Sequence, residues 1–205
     1  PEVVIMDDIM QHRWVKPSLL IMTTDYKNPY FKDYIFPIGG LREFKSGVNR
    51  ADLILVTRSP SNLSMEKKVN FLKGMKSKIP VFFTTIKYAQ FLHKKNQSIS
   101  DLELNRGNLI LVTVIADSSK LVDYLKTTFG GFKHLKFSDH HHFSKNDIHR
   151  ILNASEGKII VTTEQGYGRL SPLIRDEKLC YINISLAFIF EKDKKQFDRI
   201  ILDAI

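Results

Sequence analysis

The chain has 205 residues, 43% of them hydrophobic, and 31 Lys and Arg residues against 22 Asp and Glu give it a formal net charge of +9. This length suits one large domain or two small ones, with enough apolar residues for a core. The single cysteine, Cys180, excludes an internal disulfide and indicates a reducing compartment. No apolar run approaches the ~18 residues of a membrane-spanning helix.

The basic charge favours partners that carry phosphate, because a positive surface attracts anions. The lysines are scattered in clusters that are typical of solvated helix faces. No recognition-helix or RNA-binding signature is found among them, so no nucleic-acid partner is expected.

Apolar runs and breaker residues predict alternating strands and helices. Strands are predicted at 3–6, 19–23, 53–57, 81–86, 108–116, 158–162 and 181–190. Helices are predicted at 64–76, 119–127 and 145–154, and 25–40 is predicted to be a loop rich in aromatics. This alternation indicates an α/β protein with largely parallel sheets. The polar segment 94–106 is the best boundary candidate, which gives two parts, 1–95 and 105–205.

Two serines are predicted to cap helices. Ser64 stands directly before the first predicted helix, where a hydroxyl can accept from a free backbone N–H. Ser144 is followed three residues later by Asp147, which resembles a capping box.

Residues 3–8 carry the first chemical signal. Four apolar residues predict a short buried strand, and Asp7 and Asp8 follow at its carboxyl end. Phosphate-transferring folds hold Mg²⁺ in this way, with carboxylates emerging from a rigid strand beside the nucleotide phosphates. The same pattern also arises where an Asp simply favours a turn or caps a helix.

Two further groups allow more than one interpretation. Arg42 and Glu43 follow Gly39-Gly40, so they are either a phosphate-binding guanidinium with its neighbour or an ordinary surface ion pair. Three consecutive histidines at 140–142 suggest zinc. Adjacent side chains diverge, however, and the chain has no cysteine cluster to complete such a site.

Five segments, taken in order, resemble one family. Residues 7–13 resemble the Asp-Asp-Gly-Phe-Gln-His-Arg signature of the tetraacyldisaccharide 4'-kinases, the lipid A 4'-kinases of Gram-negative bacteria. Residues 36–43 are similar to that family's Pro-x-Gly-x-Leu-Arg-Glu loop, and 50–57 to its Arg-Ala-Asp strand. Residues 137–143 and 161–164 resemble its Asp-His-His segment and the start of its Thr-Thr-Glu-Lys-Asp segment.

The resemblance implies a P-loop-type nucleotide-binding core, together with a smaller α/β lobe. A phosphate-cradling G-x-x-x-x-G-K-[ST] loop is expected in such a core. The only Gly-Lys pair here is Gly157-Lys158, and Ile159 follows where Ser or Thr is needed. In the family this loop and a catalytic aspartate precede the Asp-Asp segment. The chain is therefore expected to be the C-terminal part of a longer protein, with the N-terminal part of the core missing.

The activity implied by the resemblance is transfer of the γ-phosphate of ATP to the 4'-hydroxyl of tetraacyldisaccharide 1-phosphate in lipid A biosynthesis. ATP and Mg²⁺ are the implied cofactors. The implied partners are the lipid A precursor and an anionic membrane surface, at the cytoplasmic face of the bacterial inner membrane.

The resemblance also assigns roles to residues. It makes Asp7 and Asp8 the metal ligands, and it makes His140, oriented by Asp139, the partner of the upstream aspartate that activates the sugar hydroxyl. The expected phosphate- and substrate-binding residues are Gln11, His12, Arg42 and Glu43. For His12 the alternative is a partly buried structural histidine.

Three departures from the family pattern leave other functions open. Ile9 replaces a small residue, 114–118 lacks the family's Gly and Pro, and Gln165-Gly166 replaces Lys-Asp. The alternatives are a catalytically lapsed relative and a basic, non-enzymatic module that binds anionic lipid or nucleic acid.

Overall fold

The computed structural model describes residues 2–93, 97–99, 107–139, 141–174 and 178–205. The chain divides into two compact units, one formed by 1–87 and 186–205 and the other by 88–185. The last twenty residues, which the sequence placed in the second part, thus lie in the first unit. The predicted boundary segment 94–106 lies mostly outside the described residues.

The first unit is built on a parallel sheet of three strands in the order β1-β2-β3. Its elements are β1 (Ile21–Asp25), β2 (Leu53–Thr57), α1 (Met65–Met75), the start of β3 (Val81–His93), the end of β8 (Leu179–Phe188) and α5 (Glu191–Ala204). Single 3₁₀ segments cover Tyr30–Lys32 and Lys45–Arg50. Residues on alternate positions of β2 face opposite sides, since side chains in a strand alternate.

Each side of this sheet is covered by a helix. Ile54 and Val56 pack with residues of α1, whereas Leu53 and Leu55 pack with Phe197 and Ile200 of α5. The two helices are joined by a largely buried ion pair in which Lys68 Nζ lies 2.8 Å from Asp193 Oδ2.

The second unit contains a parallel sheet in the order β8-β7-β5-β6. Its elements are the end of β3, β4 (Gln97–Ile99, antiparallel to β3), β5 (Leu109–Thr113), α2 (Ser119–Phe129), β6 (Lys133–Lys136), α3 (Lys145–Ser155), β7 (Ile159–Thr163), α4 (Glu164–Leu170) and the start of β8. β5 and β7 are buried along their whole length, as central parallel strands are. Helix α2 packs on one face of the sheet, and α3 and α4 pack on the other.

Most predicted elements are confirmed, with shifts at their ends. The predicted strand 53–57 coincides with β2, and the helix predicted at 64–76 is α1, with Ser64 accepting from the Lys67 N–H as its N-cap. β6, α4 and α5 had no counterpart in the predicted set. None of the helices in the described ranges combines the length and hydropathy needed to cross a membrane.

The prediction of a buried strand at 3–6 is wrong. These residues have no strand assignment, and Val4 and Ile5 are 66% and 93% exposed. A strand persists only when a neighbour pairs with its backbone, and no described strand pairs with this segment. Asp7 and Asp8 consequently lie in an exposed bend, where Asp8 adopts a left-handed φ of 54°.

Candidate functional site

The Asp-Asp segment and the loop after Gly39-Gly40 meet in one ion pair. Arg42 Nη1 donates to Asp8 Oδ2 at 2.6 Å, although the two residues are 34 positions apart. Both side chains are more than 60% exposed, so solvent screens the attraction and its contribution to folding is small. The hydrogen bond and the charge of Asp8 raise the pKa of Arg42 above its ordinary value. Arg42 therefore pairs with Asp8, and not with its neighbour Glu43.

Glu43 fastens the same two segments from the other side. Its carboxylate accepts from Arg50 at 2.6 Å and from Arg13 at 3.4 Å, and it is largely buried between them. Arg50 also donates to the Met10 carbonyl at 3.0 Å. The hydrogen bond from Arg50 is the main reason that the pKa of Glu43 is lowered, with Arg13 adding to it. Glu43 thus holds the segment after Asp8 against the 3₁₀ segment Lys45–Arg50.

A buried glycine makes room for this carboxylate. A Cβ placed on Gly47 would lie 2.7 Å from Cδ of Glu43, which is closer than real contacts allow. Gly47 is therefore needed for the position of Glu43, and the sequence alone gave no sign of this role.

The loop that leads to Arg42 is fixed by Asp33. The Asp33 carboxylate accepts from the backbone N–H groups of Tyr34 and Gly40. Leu41 N–H donates to the Tyr34 carbonyl at 3.0 Å, and Ile35 and Leu41 form a single parallel bridge. A Cβ on Gly39 would overlap Asp33 and the Tyr34 backbone, so the first glycine of the motif permits this close turn.

The remaining predicted residues of the Asp-Asp segment face solvent. Gln11 and His12 are exposed, and neither side chain has a hydrogen-bond partner within the described ranges. The alternative of a partly buried structural His12 is therefore wrong. Asp7 is also exposed and lies beside the Asp8–Arg42 pair along the chain.

No group of three or more His, Cys, Asp or Glu side chains in the described residues could hold a metal by itself. A metal at this site would have only Asp7 and Asp8 as acidic ligands from the segment, with other ligands from solvent or from a nucleotide. This donor set is compatible with Mg²⁺, which commonly binds through one or two carboxylates, substrate phosphates and water.

The Asp-His segment belongs to the second unit. Asp139 lies in the turn after β6, and its predicted partner His140 lies outside the described residues. The next residue, His141, is half-buried. Its Nε2 lies 3.1 Å from Asp147 Oδ2, and its ring packs against Phe137 and Phe143.

Asp147 connects His141 to the start of α3. The predicted capping box is confirmed, because Ser144 accepts from the Asp147 N–H while the Asp147 carboxylate accepts from Ser144 N–H and Oγ. The Ser144 hydroxyl is the main cause that lowers the pKa of Asp147 to about 2, followed by the Ser144 backbone and His141. His141 therefore lies at the entry of α3, and its bond to Asp147 is a contact that the sequence alone did not reveal.

The segment 161–164 positions a helix start. Thr163 is the N-cap of α4 and accepts from the Gly166 N–H at 3.2 Å. A Cβ on Gly166 would overlap Oγ1 of Thr162, so glycine permits this close approach at the position where the family pattern has Asp. This departure thus has a local packing reason.

The structural position of the Gly157-Lys158 pair differs from that of a phosphate-cradling loop. It lies at the turn between α3 and β7, where Gly157 adopts a left-handed φ of 78°. A phosphate-binding loop instead leads from a strand into the N-terminus of a helix.

Comparison with known proteins identifies relatives over the whole chain. A sequence model of the family described as tetraacyldisaccharide-1-P 4'-kinase matches residues 1–205. The tetraacyldisaccharide 4'-kinase of Flavobacterium johnsoniae is 37% identical over 207 residues, covering 100% of this chain and 60% of that protein. The enzyme of the same name from Cytophaga hutchinsonii is 35% identical over 182 residues, covering 87% of this chain and 51% of that protein.

A solved structure shares the fold. The apo form of LpxK from Aquifex aeolicus, in complex with ATP, matches with a TM-score of 0.68 at 20% identity and covers 97% of this chain and 56% of that chain. This likeness confirms the predicted α/β fold class. The chain spans about 60% of the length of the Flavobacterium johnsoniae relative. Because the family match extends from the first residue to the last, the chain belongs to the tetraacyldisaccharide-1-P 4'-kinase family.

Proposed function

We propose that the full-length protein transfers the γ-phosphate of ATP to the 4'-hydroxyl of tetraacyldisaccharide 1-phosphate, a step of lipid A biosynthesis. One observation supports this beyond family membership. The 2.6 Å bond between Arg42 and Asp8 joins the segment expected to bind metal to the loop expected to bind phosphate. Phosphoryl transfer depends on positioning and charge stabilisation, and this bond places a carboxylate and a guanidinium side by side.

Asp7 and Asp8 are the proposed Mg²⁺ ligands. Both are exposed and consecutive, and neither is enclosed by apolar side chains that would exclude a hydrated ion. When bound with ATP, the ion would neutralise charge on the phosphate oxygens. Gln11 and His12 follow Asp8 by three and four residues. Their polar side-chain groups would form hydrogen bonds with the phosphates and the substrate.

Arg42 is the proposed phosphate-binding residue, supported by Glu43. Its guanidinium is permanently charged, because the ordinary pKa of arginine lies far above neutral pH, and Asp8 raises the pKa of Arg42 further. Its partner in the described structure is the exposed carboxylate of Asp8. Exchange of this carboxylate for a phosphate oxygen therefore breaks no buried interaction. Glu43, held by Arg50 and Arg13, keeps the backbone of the loop in place during that exchange.

Asp139 and His140 are proposed to assist the base. In this proposal His140 partners an aspartate outside this chain, and Asp139 orients its imidazole. Residues 1–87 and 186–205 would complete the nucleotide-binding core, and 88–185 would form the smaller lobe. The substrate is a lipid and the chain carries a net charge of +9, so the site of action is an anionic membrane surface at the cytoplasmic face of the inner membrane.

The test is a phosphate-transfer assay on the full-length protein with ATP and tetraacyldisaccharide 1-phosphate, in which the 4'-phosphorylated product is measured. Asp8→Asn should lower the rate by about a hundredfold or more, because phosphate-bound metal would lose a ligand. Asp203→Asn is the matched control, since Asp203 is also an exposed carboxylate that pairs with an arginine, Arg199, at 3.8 Å. The control should retain the full rate.

Two results would contradict the proposal in different ways. A wild-type protein that binds ATP or lipid but forms no product would favour the lapsed relative or the binding module. An unchanged rate in Asp8→Asn and Asp7→Asn would keep the kinase but remove the acidic pair from its mechanism.

A further inference from the structure

Four large side chains on the loop between the two 3₁₀ segments, residues 33–44, are strongly exposed. Tyr34 is 63%, Phe36 76%, Ile38 84% and Phe44 77% exposed, and together they are here called the apolar patch. Single exposed apolar residues are common on proteins, but a contiguous group on one loop marks an interaction site.

A shallow groove of about 540 Å³ runs through the apolar patch, and most of its wall is apolar. Tyr34, Ile38 and Phe44 line it, with Ile35 and Leu41 on the inner side. Phe36 is not part of this wall, although it is among the most exposed residues of the loop. A narrow ligand such as one acyl chain would fill the groove but leave Phe36 in water. The patch therefore suits a broad apolar surface better than a narrow ligand.

The backbone that carries the patch is already fixed. Asp33 accepts from Tyr34 and Gly40 N–H groups, and the Ile38 N–H donates to the Ile35 carbonyl at 3.0 Å. Binding at this loop therefore needs little ordering of the chain, which lowers the entropic cost of association.

The fully exposed charged side chains that the loop itself contributes are basic. The two acidic side chains of the loop are only partly exposed and are engaged within the fold, since Asp33 accepts from backbone N–H groups and Glu43 pairs with Arg50 and Arg13. Lys32 and Lys45 remain exposed. Lys45 Nζ lies 5.1 Å from the centre of the Tyr34 ring, so a cation and an amphipathic ring sit together at the edge of the patch.

This arrangement matches the chemistry of an anionic bilayer surface. Tyr and Lys are favoured at the headgroup level, whereas Phe and Ile are favoured just below it. Clustered cations add attraction to anionic lipids that falls off within a Debye length.

We infer that the apolar patch inserts into the surface of an anionic lipid bilayer. Phe36, Ile38 and Phe44 lie below the lipid headgroups, and Lys45 lies at the level of the headgroups. The inference rests on the proposed function, which places the substrate in a membrane, and it adds the surface by which this chain would reach that membrane.

The direct test places a fluorophore on the patch of the full-length protein. An environment-sensitive dye is attached to the cysteine of an Ile38→Cys variant. Any cysteine of the full-length protein that lies outside the 205 residues is replaced by serine. Cys180 stays unlabelled because its thiol is fully buried and its pKa is raised to about 12. Vesicles of phosphatidylglycerol and phosphatidylcholine that carry brominated acyl chains should quench the dye. The control dye on Leu202→Cys, a residue of α5 that is 73% exposed, should keep its emission.

Charge variants then measure the strength of the contact. Phe44→Glu should weaken binding to these vesicles by about tenfold or more, because a buried aromatic contributes more than the ~1.4 kcal/mol that a tenfold change requires. Leu202→Glu should bind as the wild type does. Lys45→Glu should weaken binding to vesicles with phosphatidylglycerol and leave binding to pure phosphatidylcholine unchanged.

The outcomes separate this inference from the kinase proposal, since vesicle binding needs no turnover. Quenching at position 38 in a protein that forms no product would keep the inference and overturn the proposed function. An unquenched dye at position 38 would overturn the inference, whether the cause is binding through another surface or no binding at all. A Phe44→Glu protein that binds vesicles normally but has a raised KM for detergent-dispersed substrate would also overturn it, and would assign the groove to an acyl chain of the substrate.

Discussion

At the residue scale, Glu43 and Gly47 show how one carboxylate depends on a missing side chain. Glu43 reaches Arg50 and Arg13 only because Gly47 has no Cβ in the path of its carboxyl group. The obstructed atoms lie at the far end of a movable side chain, so a Cβ would displace Glu43 without unfolding the segment.

Gly47→Ala is therefore expected to act as a milder form of Glu43→Gln. In the full-length protein, Glu43→Gln should lower kcat/KM by about tenfold, which corresponds to ~1.4 kcal/mol of lost transition-state stabilisation. Gly47→Ala should lower it by less, and both should increase hydrogen exchange in 10–13. Ser46→Ala, at the exposed neighbouring position, is the control. Wild-type exchange and wild-type kcat/KM in both variants would show that Glu43 does not hold this segment.

At the element scale, the capping box of α3 predicts a pH dependence. The folded-state pKa of Asp147 is about 2, below the ordinary value of 3.8, because the carboxylate accepts from Ser144 and His141. A lowered pKa means that the ionised form stabilises the fold, and that this contribution is complete above pH 3.8 and disappears as the pH falls through about 2.

The unfolding free energy of the wild type should thus exceed that of Asp147→Asn at neutral pH, and the difference should shrink near pH ~3. Urea unfolding at the two pH values measures it. Asp123→Asn, an exposed Asp within α2, is the control and should show no such convergence. A wild-type advantage that stays constant or grows in acid would contradict the assigned role of the Asp147 carboxylate.

At the scale of the whole molecule, this chain supplies only part of the proposed phosphate-transfer site. The chain carries the proposed metal-binding acidic pair and the proposed phosphate-binding Arg42, but the G-x-x-x-x-G-K-[ST] pattern does not occur in it. The single Gly-Lys pair is used for the turn into β7. The backbone N–H groups and the lysine that would cradle the ATP phosphates are therefore not supplied by these residues.

The isolated 205-residue chain is accordingly expected to show no turnover of ATP. A coupled ADP-release assay with Mg²⁺ and excess lipid substrate measures this, with the full-length protein as the positive control. Circular dichroism at the same concentration checks that the isolated chain is folded. Steady ADP release by a folded chain would mean that another phosphate-binding loop exists within it.

Sequence patterns were sufficient where the cause of a structure lies within a few residues. The apolar run of β2, the Ser64 cap of α1 and the Ser144–Asp147 box all depend on neighbours in sequence, and all three are confirmed. The motifs also sufficed to assign the family, because their order along the chain needs no coordinates.

Tertiary structure alone decided the features that depend on distant partners. The apolar run at 3–6 has strand propensity, yet no described strand pairs with it, so it is exposed. β6 was missed because its sequence is mostly polar and only its pairing with β5 makes it a strand. Arg42 was free to pair with Glu43, with phosphate or with Asp8, and the path of the chain brought Asp8 to it from 34 residues away. Local preference fixes which residues begin a helix or fill a strand, whereas long-range pairing depends on the paths of both segments, which no short pattern contains.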